Sequence, residues 1–425
     1  MTTAPTRLFI ERLGQRGAGV SRSMGALVFV PYALAGETVL AEIDGERGRL
    51  VEIETASKDR IPPFCQYFSS CGGCAVQSLA REAYAQWKRD LVSEALQRAG
   101  LEADIAPVVD AHGEGRRRAT FHVRADAAAG RHRVGFMQAR AHEIVEIDAC
   151  PLLAPSLGKA LAAVRALVDV LWTRSTTLDA LVTATETGLS VDLRGHGPLA
   201  PRKRQELVRI ALAHDLACLS NHGEMVLVQR APVLTIGDAR VVLPPGAFLQ
   251  ATRAGETAIA AEVCAALAEA RRIADLFAGI GTFALRLAEH ATVHAVDCDP
   301  AALDALAKAV RARPAKPLSV ATRDLFRRPL PREDLAGYDA VVLDPPRAGA
   351  ESQAHELAAS TVPVVVSVSC NVQSFARDAA ILCAGGYEIG TVVPIDQFRH
   401  TPHIEIVTTF RRKRRKGAAG RKLLG

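Results

Sequence analysis

Four stretches in the C-terminal half carry residues able to do chemistry together. They are Asp344-Pro345-Pro346-Arg347, Ser369-Cys370-Asn371, His403-Ile404-Glu405 and the glycine loop Asp275-Leu276-Phe277-Ala278-Gly279-Ile280-Gly281-Thr282. The loop reads as a nucleotide-type cofactor cradle, Cys370 as a candidate nucleophile and Glu405 as a candidate base. Methylating a pyrimidine ring at carbon needs that set. Carbon 5 of uracil is a poor nucleophile until a thiolate adds to carbon 6 and turns the ring into an enolate. Carbon 5 can then attack an electrophilic methyl group, and the proton left on it must be removed before the thiolate departs. A Cys, a base and an S-adenosylmethionine site must therefore surround one flipped base.

These residues need elements that bring them to one place. From Val241 onward the pattern becomes βαβ-like. Strands are predicted over residues 273–277, 293–296, 339–343 and 364–367, with helices over 282–289 and 301–310 and a closing hairpin over 389–394 and 403–409. That alternation argues for a doubly wound parallel sheet, which binds ligands beyond the carboxyl ends of its strands. Gly279, Gly281, Asp297, Asp324, Asp344 and Cys370 all fall at such ends. Asp297 is placed to accept ribose hydroxyls, and Asp324 to contact the adenine end. A dinucleotide site fits less well, because position 284 is Ala rather than a third Gly and Asp297 comes too early.

Each residue also has an ordinary reading. A Gly-x-Gly turn can serve packing, and a Pro-Pro at a strand end can be a stiff turn. Glu405 can be a solvent-facing alternate, with His400 and His403 as competing proton carriers. A lone Cys is commonly a small buried hydrophobe, the expectation for Cys218, Cys264, Cys298 and Cys383. Polar neighbours Ser369 and Asn371 set Cys370 apart. Arg347 stands where amino-methyltransferases place an aromatic residue after the prolines, which argues against methylation of an exocyclic amine.

The chain has 425 residues and a 49% hydrophobic share, enough for two or three packed domains. No apolar run is long enough to span a membrane, and the N-terminus lacks a signal-peptide pattern, so a cytoplasmic protein with reduced cysteines is expected. Residues 411–425 hold eight Lys and Arg and no acid; without those eight the formal charge drops from +6 to −2. Such a tail attracts phosphate backbones or merely solubilises the chain end. The clusters Arg116-Arg117-Arg118, Arg131-His132-Arg133 and Arg202-Lys203-Arg204 favour a polyanionic partner.

Before residue 57, short apolar runs alternate with Gly turns, the pattern of a small OB-like β-barrel. Cys65, Cys71 and Cys74 follow in C-x5-C-x2-C spacing, with Cys150 further on. Four such thiolates suit an iron–sulfur cluster or a structural zinc. A helix over 79–98 and strands between 118 and 147 lead into a central α+β region that runs to about residue 240.

Taken together, the chain resembles the RNA 5-methyluridine methyltransferase family, in its bacterial 23S rRNA branch. The resemblance rests on Phe64-Cys65, Cys71-Gly72-Gly73-Cys74, Asp148-Ala149-Cys150-Pro151, Phe248-Leu249-Gln250, the glycine loop, Asp344 to Gly349, Ser369-Cys370-Asn371 and His403-Ile404-Glu405. It implies an N-terminal TRAM domain over 1–56, an iron–sulfur and substrate-facing α+β domain over 57–240 and a class I methyltransferase domain over 241–410, followed by the basic tail. It implies a [4Fe-4S] cluster on Cys65, Cys71, Cys74 and Cys150, Cys370 as nucleophile and Glu405 as base. Gln250, Phe277, Thr282, Asp297, Asp324 and Asp344 match positions around S-adenosylmethionine and the target base, and Phe248 matches a base-stacking residue. The implied partner is RNA, 23S rRNA before tRNA, acted on by a monomer. Departures at Thr252, Ser367, Val372 and Ser374, where the family usually has Asn, Tyr, Pro and Thr, bear on substrate choice. The alternatives are a tRNA methyltransferase or an RNA-binding protein without catalysis.

Overall fold

Strand-forming runs in the first 55 residues pair into a six-stranded curled sheet, in the order Thr6–Phe9, Thr38–Asp44, Arg47–Thr55, Ala26–Val30, Gly19–Ser23, Arg12–Leu13. The computed structural model describes residues 4–413 apart from 24, 142, 174 and 313–315. Leu8, Ile10, Val28, Val30, Val39 and Ala41 fill the inside of the curl, the apolar half of each alternating strand. Glu37 is fully buried at its edge. Burial opposes its charge, but Arg60 and the N–H groups of Leu34 and Ser57 hold its carboxyl below the usual range, tying the sheet to the linker that follows.

The predicted 79–98 helix is Arg81–Arg98. It has no single apolar stripe because it buries two faces. Trp87 and Leu91 pack with Leu34 and Val76 against the N-terminal sheet, while Val92, Ala95 and Leu96 enter the core of the catalytic sheet. Lys88, between those faces, is fully buried and pairs with Asp396 at 3.0 Å. Tyr84 donates to the other Asp396 oxygen at 2.6 Å, and Lys88 also donates to the His403 carbonyl. Lys88→Met should therefore leave Asp396 buried without its cation and cost about 3–5 kcal/mol, readable by urea unfolding. An unchanged midpoint would mean that Tyr84 alone satisfies the carboxylate.

The central region is a seven-stranded sheet in the order Ile144–Glu146, Arg131–Met137, Arg118–Asp126, Thr177–Thr185, Gly188–Arg194, Cys218–Asn221, Glu224–Val228. Buried leucines and valines of helix Ala160–Val170, together with Leu207 and Ala211 of Pro201–Ala213, join the sheet in one core. The expected α+β character of this region is what forms.

The catalytic sheet has the predicted doubly wound order. Leu318–Thr322, Thr292–Asp297, Arg272–Leu276, Ala340–Leu343 and Val364–Ser369 run parallel; Glu405–Arg412 follows antiparallel to them, and Val393–Asp396, antiparallel to Glu405–Arg412, returns to their direction. Ala340–Leu343 is buried at every position, as a central parallel strand requires. Val109–Asp110 adds to the edge beside Val393–Asp396, so chain from before the central sheet completes the catalytic one.

Three predicted elements change, the first being the 389–394 arm of the closing hairpin, which forms as two short strands, Tyr387–Ile389 and Val393–Asp396. The 282–289 helix shrinks to Ala284–Leu287, because the backbone from Phe277 to Gly281 coils through positive φ at Phe277, Gly279 and Gly281 before it can turn helically. The basic tail starts later than its charges do: Arg411 and Arg412 finish the last strand, and residues 414–425 lie outside the described residues. Among the described residues no helix is long and apolar enough to cross a membrane.

Candidate active site

The sheet order reverses between Arg272–Leu276 and Ala340–Leu343, and chains leaving the carboxyl ends of those two strands part to form a crevice. The glycine loop borders it. Gly281 has φ +93° and its α-carbon lies so near helix Pro300–Arg311 that a Cβ would sit 2.4 Å from Leu306 Cδ1. A side chain there would push the loop out into the crevice. Gly279 has open space where its Cβ would stand, so its backbone is free for close approach by a ligand.

Asp297 ends the next strand. Its Oδ2 accepts the Gly279 N–H and its Oδ1 the Asp299 N–H, each at 2.8 Å. It thus fixes the loop as well as offering its remaining lone pairs. Asp324 accepts from the Phe326 N–H at 3.0 Å, and half-exposed Phe326 packs its ring 5.5 Å from that of Phe277. Phe326 was not singled out from the sequence. The signal was there: an aromatic two residues past an Asp at a strand's carboxyl end. The two rings meet at 58°, an apolar corner against which an adenine edge or face can pack. Thr282 accepts from Arg286 through its carbonyl, and Arg286 and Arg117 share the buried Glu256. Arg117 also donates to the Gln250 carbonyl at 3.2 Å, so the loop and Gln250 are held by one ion network.

The second half of the crevice holds the reactive groups. Cys370 follows Val364–Ser369, and Asn371 caps the next helix, Val372–Ala384, by accepting from the Gln373 N–H. Asn371 and Ser374 both donate to the Arg347 carbonyl, at 3.0 and 3.1 Å, which clamps the Asp344–Arg347 turn against the cysteine. Glu405 is buried, not solvent-facing, because the inner strand Glu405–Arg412 has neighbours on both sides.

Three acids crowd this pocket. Burial raises the Asp344 carboxyl well above the ordinary range, and the charges of Glu405 and Asp275 raise it further. Burial pushes Glu405 up to about 7 against the pull of a Gln397 hydrogen bond and Lys88. Burial likewise lifts the Cys370 thiol to about 12, with Glu405 and Asp344 adding to it and Arg347 opposing. Asp275 is wholly buried and neither oxygen has a well-formed partner among the described residues. At neutral pH the pocket therefore holds protons in reserve beside a thiol and a carboxyl poised near 7. Such a site suits proton removal from carbon.

The histidines are weaker candidates. Burial and the charges of Arg347, Lys88 and Arg116 lower His403 to about 4, and its Nδ1 faces Arg347 at 3.3 Å. His400 is held by backbone: its carbonyl accepts from Ala75 and Val76, which joins the cysteine loop to the catalytic turn.

Cys65, Cys71, Cys74 and Cys150 line one cavity of about 420 Å³. Among the described residues no three Cys, His, Asp or Glu side chains converge tightly enough to hold one metal ion. Burial raises the thiols of Cys71, Cys74 and Cys150, that of Cys74 to about 11. Of the cysteines expected to be buried hydrophobes, Cys218 is, whereas Cys264 and Cys383 are half-buried. Cys298 is exposed, since it follows Asp297 where the chain leaves the sheet for the ligand edge.

A groove of about 940 Å³ runs from Cys370 past Arg347 and Arg116 to Arg140 and to Arg16 of the N-terminal sheet. Its cations suit a nucleic-acid strand, and Phe248, which is not part of its lining, exposes a ring able to stack on a base.

Residues 318–413 match the tRNA (Uracil-5-)-methyltransferase family. An uncharacterized RNA methyltransferase of Brucella suis is 43% identical over 97% of this chain and 100% of its own length. The 23S rRNA (uracil(1939)-C(5))-methyltransferase RlmD of Halomonas elongata is 35% identical over 94% of this chain and 88% of its own. The chain belongs to the RNA uracil-C5 methyltransferase family. As such an enzyme it uses S-adenosylmethionine to methylate carbon 5 of uracil in RNA. The fold agrees: the Pyrococcus abyssi tRNA (uracil-54, C5)-methyltransferase, solved with S-adenosyl-L-homocysteine, superposes with a TM-score of 0.72 at 22% identity, over 95% of this chain and 99% of that one.

For a uracil-C5 methyltransferase, two buried residues that sequence reasoning missed are as informative as those it found. Lys88 reaches the catalytic turn from the inter-sheet helix, and Gln397 joins Glu405 to Gln250. Neither had a signal in spacing, because each works across more than a hundred residues or through a loop without regular structure.

Proposed function

We propose that this enzyme methylates a uridine of 23S rRNA through a covalent adduct, with Cys370 bonding carbon 6 and Glu405 removing the carbon-5 proton. The observation that carries the reading is the meeting of Cys370, Asp344 and Glu405 at the ligand-binding edge of the sheet, close enough for the two acids to raise the thiol. The glycine loop, Gln250, Phe277, Thr282, Asp297, Asp324 and Asp344 would hold S-adenosylmethionine and the target base, and Phe248 would stack on the base. The bound cofactor supplies an electrophilic methyl group. Everything else falls to the chain. Cys370 gives its proton to water in the open groove it lines, and the resulting thiolate adds to carbon 6. Asp344, kept protonated by its surroundings, is suited to donate to the ring oxygen where the enolate charge collects. Glu405, poised near 7, then takes the carbon-5 proton, the carbon-5 to hydrogen bond supplies the electrons of the new double bond, and the Cys370 sulfur leaves as thiolate.

The cysteine cavity fits a [4Fe-4S] cluster better than one ion. A cluster takes one thiolate per iron and spreads its ligands, whereas a single tetrahedral zinc draws four sulfurs tightly together. Four half-buried thiols around one cavity, no three within reach of one ion, suit the wider set. Protein purified without oxygen should carry iron and acid-labile sulfide, and Cys74→Ser should lose both along with soluble yield. Stoichiometric zinc without iron would overturn the assignment.

The N-terminal curled sheet, read as a TRAM-type module over 1–56, would guide RNA along the Arg-lined groove toward the domain spanning 241–410, with 57–240 between them. We place the enzyme in the cytoplasm as a monomer. The Halomonas relative and the joint presence of curled sheet and cysteine cavity support rRNA. The second reading, tRNA, draws on the Pyrococcus fold likeness. Mass-spectrometric mapping of 5-methyluridine in rRNA and tRNA, with and without the gene, decides between them. Loss from tRNA alone would reverse the rRNA reading, and no loss from either would favour an RNA-binding protein without catalysis.

A further inference from the structure

We propose that Gln397 fixes the hydrogen-bonding polarity of Gln250 and thereby makes the site select uracil over cytosine. The inference rests on the reading above that the target base lies beside Gln250 and Cys370.

Gln397 is fully buried, and its amide has only one workable orientation. Its Oε1 accepts the backbone N–H of Thr252 at 3.2 Å. A backbone N–H can only donate, so the oxygen must face it. Nε2 then has two hydrogens to place. One goes to Gln250 Oε1 at 2.7 Å and the other to Glu405 Oε1 at 3.0 Å. The frame around this amide is rigid. Thr252 donates through Oγ1 to the Ala111 carbonyl at 2.6 Å and accepts the Gly255 N–H at 2.8 Å. A Cβ at position 255 would stand 2.5 Å from Gln397 Oε1, so a Gly there is what leaves the amide its space.

The consequence falls on Gln250. A free glutamine can turn its amide over and serve as donor or acceptor. Here its oxygen is taken by Gln397, and turning over would set one NH2 against another. Its amide nitrogen has no acceptor among the described residues, and so remains as a donor for an occupant of the site. Uracil carries a carbonyl at position 4, which accepts. Cytosine carries an amine there, which would meet a second donor and leave both unsatisfied. The same Gln397 amide reaches the proposed base, Glu405, so the group that reads the ring and the group that deprotonates it share one anchor.

The test uses Gln397→Met, which keeps length and volume and removes both amide functions. Two RNAs identical except for uridine or cytidine at the target compete for the full-length protein, and single-turnover methyl transfer is followed on each. The preference for the uridine RNA should narrow about tenfold, the scale of one buried hydrogen bond and its mismatch. Slower methylation with an unchanged preference would mean that Gln397 serves Glu405 alone, and would overturn the proposal. So would an unaltered enzyme. Gln250→Glu gives a second arm that stands if Gln397→Met does not fold. Assayed at pH 9, where the new carboxyl is ionised, it would accept from Gln397 and present only an acceptor, so binding should shift toward the cytidine RNA; uridine preference retained at that pH overturns the proposal. A wild-type protein that methylates neither RNA would bring down the site reading itself, and this inference with it.

Discussion

Cys370→Ala should transfer no methyl group and form no covalent product with RNA. Without a sulfur to add at carbon 6 the ring never gains enolate character, and carbon 5 stays too weak to attack a methyl group. The expected loss in single-turnover rate is on the order of 10⁴-fold or more, because the nucleophile has no substitute in the pocket. The neighbouring acids can move protons but cannot add to the ring and leave again. The variant should fold, since alanine removes only one sulfur atom from a half-buried position. RNA binding, measured by filter retention, should persist, because the groove's arginines are untouched. Transfer of labelled methyl at more than a few per cent of the wild-type rate would sink the mechanism.

Glu405→Gln should fail later and differently. Cys370 can still add and carbon 5 can still be methylated, but its proton stays, so sulfur cannot leave. A methylated covalent protein–RNA product should build up to about one per enzyme, while turnover falls by about 10²–10⁴-fold. Denaturing electrophoresis with labelled methyl groups reads both. The wild-type enzyme should show the same block reversibly at low pH. Burial outweighs Gln397 and Lys88 and raises this carboxyl to about 7, so the base is protonated below that value and active above it. Resolution of the adduct should slow about tenfold per unit as pH falls beneath 7. A resolution rate flat from pH 5 to 8 would move the role to another group.

The catalytic sheet was legible because physics writes it twice. Central parallel strands must be apolar at every position, as at residues 340–343 and 364–366, and the residues that follow them turn abruptly polar at Asp344 and Asn371. Those boundaries mark the ligand edge, which is why Asp297, Asp344 and Cys370 could be placed on it from sequence. What stayed hidden depends on contacts between distant segments. Gln397 is one glutamine in an irregular turn until folding sets it among residues 250, 252 and 405. Lys88 looks like the polar face of a helix whose second buried side comes from another sheet. Cys298 looked like core, although it sits one residue past a strand end, the position that exposed it.

The inter-sheet helix Arg81–Arg98 acts as a splint. Trp87 and Leu91 face one sheet, Val92 and Leu96 the other, and Lys88 is sealed between them, so the N-terminal sheet cannot swing from the catalytic domain without uncovering both faces and a buried ion pair. The groove is therefore a fixed mould, and the adaptation on binding falls to the RNA. Strand opening and base extrusion become the substrate's own expense, which ranks RNAs by how easily the target stretch comes unpaired.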